Sequence, residues 1–104
     1  MALAVVWSPE AVEDLNAIIA YIAKDSRFYS KAVANKILTV AKGLPEHPYI
    51  GRVVPELGKQ QIRERFVYSY RLIYEINTDN ILIVALIHGK RLLEIGERIA
   101  REQE

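Results

Sequence analysis

The chain has 104 residues, 51% hydrophobic and 26% charged, the balance of one globular domain with one core rather than of a disordered or membrane-embedded chain. It has no cysteine, which excludes disulfides, thiolate metal sites and a cysteine nucleophile. With 14 Lys and Arg against 13 Asp and Glu the net charge is +1, so the overall basic excess of a protein that grips a nucleic-acid backbone is missing.

The opening "MALAVVWSPE" has no basic leader, and its apolar run is too short for a signal or a spanning helix. That points to a cytoplasmic protein without a membrane partner. "LAVVW" is β-branched and reads as a first strand. At "SPE" Ser8 can cap a helix, Pro9 suits its first position and Glu10 meets the positive end of its dipole. Ala11, Leu15, Ile18 and Ile22 then follow helical spacing until "KDSR" interrupts it. A second helix is expected over residues 29–44, burying Val33, Ile37, Val40, Ala41 and Leu44, with Gly43 and Pro45 at its end. Two such helices across a short polar break should form an antiparallel hairpin.

"PEHPYIGRVVPELG" holds too many prolines and glycines for regular structure and leads back to a sheet. "QIRERFV", "YRLIYEI" and "ILIVALIH" read as three meandering strands, the last two joined by the turn "NTDN". Strict alternation puts Tyr70, Leu72, Tyr74 and Ile76 on one face of the middle strand and Arg71, Ile73 and Glu75 on the other. In the last strand Ile81, Ile83, Ala85 and Ile87 oppose Leu82, Val84 and Leu86; apolar on both faces, it belongs inside a sheet. Leu92, Ile95 and Ile99 give "KRLLEIGERIAREQE" helical spacing, although Gly96 weakens it. The expected fold is a single α+β domain over residues 1–104, in the order β-α-α-β-β-β. A helical hairpin packs on one face of a small antiparallel sheet, followed by a short amphipathic tail.

The basic residues gather between 52 and 71: Arg52, Lys59, Arg63, Arg65 and Arg71 against Glu56 and Glu64. The plain reading of such a run is a solvated face. If the helices cover the Tyr70, Leu72 and Tyr74 face, Arg71 should emerge on the opposite, open face, with Arg63 and Arg65 beside it and Arg91 at the rim. Such a cluster suits an anion. With His88 as acid or base it would also suit phosphodiester cleavage. For His88 the plain alternative, a histidine at a strand end, weighs more. For Arg71 it weighs less, because an unused guanidinium in mid-strand is costly; we expect Arg71 to be removable without unfolding the chain. The plain reading of Arg71 is pairing with Glu75 or Glu64. His47 and His88 have no carboxylate at ligand spacing, so no metal is expected, nor any cofactor. Trp7, Tyr21, Phe28 and Tyr74 sit at expected core positions.

"WSPEAVEDLNAIIAYIA", "PYIGRVVPEL", "IRERFVYSYRLIYEI" and "ILIVALIHGKR" together resemble the RelE/ParE superfamily, the toxins of bacterial type II toxin–antitoxin modules. The resemblance covers about residues 7–91 and implies the same helical hairpin on an antiparallel sheet. RelE-like members cut messenger RNA in the ribosome. ParE-like members poison DNA gyrase and often occur as plasmid-stabilisation proteins. On the ribonuclease side the resemblance makes Arg63, Arg65, Arg71 and Arg91 the functional set. The tail tyrosine of that set has no counterpart here: Glu97 falls near its place, and His88 is the possible substitute. The near-neutral charge and the pairing of "GRVVPEL" with "LIHGKR" favour the ParE side, on which the arginines serve fold and target binding. The implied partners are a cognate antitoxin and DNA gyrase, or the ribosome with messenger RNA, with a homodimer or a hetero-oligomer with antitoxin also open. Arg63, Arg65 and Arg71 would meet acidic antitoxin residues, and Leu92, Ile95 and Ile99 apolar ones or a second toxin. A non-toxic member that only binds its antitoxin is the third reading.

Overall fold

The computed structural model describes residues 3–89; Arg91, Leu92, Ile95 and Ile99, and with them the expected tail, lie outside the described residues. Strand β1 (Ala4–Trp7) leads into helix α1 (Pro9–Ala23), and α2 (Arg27–Gly43) follows after a short break. Both helices begin as the sequence requires. The Ser8 side chain accepts the Ala11 N–H at 3.1 Å and the Ser26 side chain accepts the Tyr29 N–H at 3.0 Å, each satisfying a donor the helix leaves unpaired.

The connection 44–61 is less irregular than expected. It holds two single-turn 3-10 helices (Leu44–Glu46 and Pro48–Ile50) and a two-residue strand β2 (Arg52–Val53). β3 (Ile62–Val67), β4 (Tyr70–Ile76) and β5 (Asn80–His88) complete a five-stranded sheet in the order β1-β5-β4-β3-β2. The meander is antiparallel, as expected, whereas β1 runs parallel to β5. No tight turn links those two strands, so hairpin geometry does not set their relative direction.

Alternation along β5 breaks at one point. Ile73 pairs with Ala85 but Tyr74 pairs with Ile83, leaving Val84 as an extra residue. Such a bulge shifts the side-chain phase. Ile81, Ile83 and Leu86 therefore face the helices, while Val84 and Ala85 face away together. The bulge lies where β1 ends, and α1 completes the edge. The Ser8 N–H donates to the Ile83 carbonyl at 3.0 Å, its hydroxyl donates to the Val84 carbonyl at 3.3 Å, and the Leu86 N–H donates to Asp14 Oδ2 at 3.0 Å.

Under the helices Val33, Ile37, Ala41 and Leu44 pack on Leu72, Tyr74, Ile81 and Ile83. The other face is not open. Val54 and Ile62 pack there with Ile73, Val84 and Ala85, all fully buried, and Leu57 joins them from the connection. Two expected core aromatics are solvent-facing: Tyr21 is 69% and Phe28 85% exposed. Both lie beside the buried helical stripe rather than in it. Tyr68, at the two-residue β3–β4 turn, takes a positive φ of 55°, which is uncommon for a bulky residue.

Gly51 marks the closest backbone approach. A Cβ there would come within 2.6 Å of the Glu64 carbonyl and 2.7 Å of the Tyr74 hydroxyl. A Cβ on Gly43, at the end of α2, would meet nothing within 4 Å. Gly51→Ala should therefore lose about 1–3 kcal/mol of stability in urea denaturation, whereas Gly43→Ala should be neutral or gain up to about 1 kcal/mol.

Candidate functional site

The β3–β4 register decides where the arginines go. The strands are joined by only two residues, with Val67 opposite Tyr70, so odd positions of β3 face even positions of β4. Arg63 lies opposite Tyr74 and Arg65 opposite Leu72, both on the helix side, while Arg71 lies opposite Phe66 on the other face. The expected convergence of Arg63, Arg65 and Arg71 on one face does not occur. The reason is the turn: a two-residue loop opposes odd with even positions, so odd-numbered residues of β3 and β4 fall on opposite faces.

Arg63 clamps the connection to β3. Its Nε donates to the Gln60 carbonyl and its Nη2 to Gln60 Oε1, both at 2.8 Å. Its Nη1 reaches the Gly51 carbonyl at 3.1 Å, and the guanidinium lies 5.0 Å from the centre of the Tyr49 ring. Tyr74 holds the same loop from beneath: its hydroxyl donates to the Pro48 carbonyl at 2.7 Å and accepts the Gly51 N–H at 3.0 Å. Burial raises the Tyr74 pKa, partly offset by that Gly51 bond and by Arg63 and Arg65 nearby. Arg65 is half-buried and makes no ion pair among the described residues.

Arg71 is the centre of a second, buried network. Its side chain is 3% exposed, and that of Glu64 is 0% exposed. Arg71 Nε donates to Glu64 Oε1 at 2.6 Å, and Nη2 bridges to the same oxygen. The outer edge of the guanidinium meets Glu56: Nη1 to Oε2 at 3.3 Å and Nη2 to Oε1 at 3.2 Å. Nη1 also donates to the Gly89 carbonyl at 3.3 Å. An arginine has five N–H donors, and these contacts engage all of them. Glu64 Oε2 accepts from Arg52 Nε, and the Arg52 guanidinium lies over the Phe66 ring at 5.2 Å. Burial pulls the Arg71 pKa down, but the bonds from Glu56 and Glu64 more than offset it and hold it above the ordinary value. Arg71 in turn holds the Glu56 carboxyl below its ordinary range.

His88 is remote from this chemistry. It ends β5 opposite Tyr70 on the helix side, with its ring edge-on to the tyrosine at 6.1 Å between centroids. Its surroundings are a groove of about 440 Å³ lined by Asp14, Ile18, Tyr21, Tyr70 and Leu86. Burial raises the Tyr70 pKa, and Tyr21 and Tyr29 add to the shift. His88 and Arg71 therefore lie on opposite faces of the sheet and do not converge on one ligand. Sequence reasoning missed Glu56, and it missed that Glu64 is buried. The available signal was Glu64 alternating with Ile62 and Phe66, a carboxylate on the face that the short turn puts against Arg71.

A helical hairpin on a mixed five-stranded sheet, with one buried arginine paired to a buried glutamate on the face away from the helices, defines a small α+β class. Residues 5–93 match the family described as the ParE toxin of the type II toxin–antitoxin system, parDE. The chain is 34% identical over 89 residues to Toxin RelE2 of Caulobacter vibrioides, covering 85% of this chain and 97% of that protein. Among solved structures, the chromosomal ParDE system of P. aeruginosa superposes with a TM-score of 0.69 at 17% identity, over 84% of this chain and 96% of that one. A variant of the E. coli toxin RelE in the free state superposes with a TM-score of 0.70 at 14% identity, over 98% of each. At such identities the two structures show a shared fold. The chain belongs to the RelE/ParE superfamily of type II toxin–antitoxin toxins.

Removing Arg71 would leave the buried Glu64 carboxylate with one oxygen on the largely exposed Arg52 and the other without its buried cation, contrary to the expectation that Arg71 is dispensable for folding. Arg71→Met should cost about 3–5 kcal/mol in urea denaturation, and adding Glu64→Met should recover part of that loss. A single variant as stable as the parent would show that the pair is not buried in solution.

Proposed function

We propose that this protein is a gyrase-directed toxin of the ParE kind, held silent by a cognate antitoxin. The observation that carries this reading is the division of the arginines between two faces of the sheet, with Arg71 buried and all its donors engaged, and Arg63, half-buried, bonded to Gln60 and to the Gly51 carbonyl. Phosphodiester cleavage needs cations and an acid or base converging on one phosphate, and among the described residues Arg71 and His88 lie on opposite faces. A binding toxin needs no such convergence. Its net charge of +1 also suits a protein target better than a polyanion. The antitoxin partner is supported by the fold shared with RelBE2 of Mycobacterium tuberculosis, a toxin–antitoxin complex, with a TM-score of 0.60 over 85% of this chain and 98% of that one at 18% identity.

The competing reading, a ribosome-dependent messenger RNA endoribonuclease, draws on the sequence relative named Toxin RelE2. The two separate cleanly in purified systems. The gyrase reading predicts that the protein blocks supercoiling by gyrase, that the antitoxin restores it, and that messenger RNA in a reconstituted translation reaction stays intact. Cuts at defined codon positions with supercoiling unaffected would replace it with the ribonuclease.

A further inference from the structure

The two carboxylates on Arg71 differ in kind. Glu64 is sealed in, its side chain 0% exposed, and approaches the inner edge of the guanidinium at 2.6 Å. Glu56 is 43% exposed and meets the outer edge through two longer bonds of 3.2 and 3.3 Å. It rides on a turn of residues 54–58. The turn is closed by the Leu57 and Gly58 N–H groups donating to the Val54 carbonyl, both at 3.0 Å, and Gly58 takes a φ of 64°. Rotation of one exposed side chain would free the outer edge of Arg71, whereas freeing the inner edge would require opening the core.

The surroundings of that outer edge are built for a carboxylate. Its two bonds run in parallel from Nη1 and Nη2 to two oxygens of one group, the bidentate arrangement that distinguishes arginine from lysine. The Phe66 ring, 52% exposed, is flanked by the Arg52 and Arg71 guanidiniums at 5.2 and 6.0 Å. With Glu56 in place, Arg52 and Arg71 are balanced by Glu56 and Glu64. With Glu56 turned away, the set of Arg52, Arg71 and Glu64 carries one net positive charge, on a guanidinium whose inner edge Glu64 holds in the core.

We propose that the outer edge of Arg71 is a seat for a carboxylate presented by a protein partner, and that Glu56 is its resident occupant, displaced when the partner's acidic side chain enters. Phe66 then packs against the apolar part of the incoming side chain, and Arg52 supplies the second cation. The seat belongs to this chain whatever the toxin's target, so it stands or falls independently of the gyrase reading.

The test uses the full chain and its Glu56→Ala and Glu56→Gln variants, titrated with potassium acetate at constant ionic strength while the Arg71 Nε resonance is followed by NMR. Glu56→Ala should show a saturable shift, with acetate bound at least tenfold more tightly than by the parent chain. Glu56→Gln, which keeps an acceptor but loses the charge, should fall between and serves if the alanine variant folds poorly. Three results would overturn the proposal: no saturable shift in either variant, equal acetate affinity in variants and parent, or saturable binding of inorganic phosphate in Glu56→Ala without binding of acetate.

Discussion

The buried pair of Arg71 and Glu64 is the constraint around which the second face of the sheet is arranged. Neither charge can be buried alone; each requires the other and hydrogen bonds for its remaining polar sites. The structure meets that demand fully. All five Arg71 donors are engaged, and among the described residues no buried side-chain nitrogen or oxygen lacks a partner. Arg71 bonds to the connection (Glu56), to β3 (Glu64) and to the residue after β5 (Gly89), and Glu64 in turn binds Arg52 of β2, so one buried pair ties these segments to β4. A hydrophobic residue at 71 would pack as well but would not specify those partners. A register slip of one residue would turn Arg71 toward the helices and take from Glu64 its buried partner, leaving it the largely exposed Arg52.

The same economy explains Arg63. It binds the Gly51 carbonyl while Tyr74, fully buried beneath α2, binds the Gly51 N–H and the Pro48 carbonyl. A proline- and glycine-rich segment that cannot form long regular structure is thereby fixed at both edges of β3. Basic residues that resemble a ligand site in the sequence are largely the fastenings of the 44–61 connection. Arg65, half-buried and without an ion pair among the described residues, is the exception. The exposed aromatic residues at the other end of the sheet, Tyr21, Phe28 and Tyr68, are a second surface that charge patterns did not reveal.

Local signals in the sequence carried the architecture well. Ser8 and Ser26 cap their helices, the stripe of Val33, Ile37, Ala41 and Leu44 is buried, and the three meander strands fall where alternation placed them. What escaped depends on long-range pairing. β2 is only two residues and exists because Arg52 and Val53 find Glu64 and Arg63. The bulge at Val84 arises where β1 stops and α1 takes over, a junction that joins residues 8 and 14 to residues 83–86. The arginine geometry was legible in principle: "VYSY" permits a two-residue turn, and that turn alone opposes odd with even positions. Arg91, Leu92, Ile95 and Ile99 fall outside the described residues, so their assignment rests on sequence.

Hydrogen exchange at the Arg71 side chain tests the central feature most directly. If Arg71 is enclosed between Glu64, Glu56 and Gly89, its Nε–H should persist in D2O on the timescale of core strand amides, far longer than that of half-buried Arg65. An Arg71 Nε–H that exchanges as fast as that of Arg65 would contradict a buried pair and return Arg71 to the surface as an open cation.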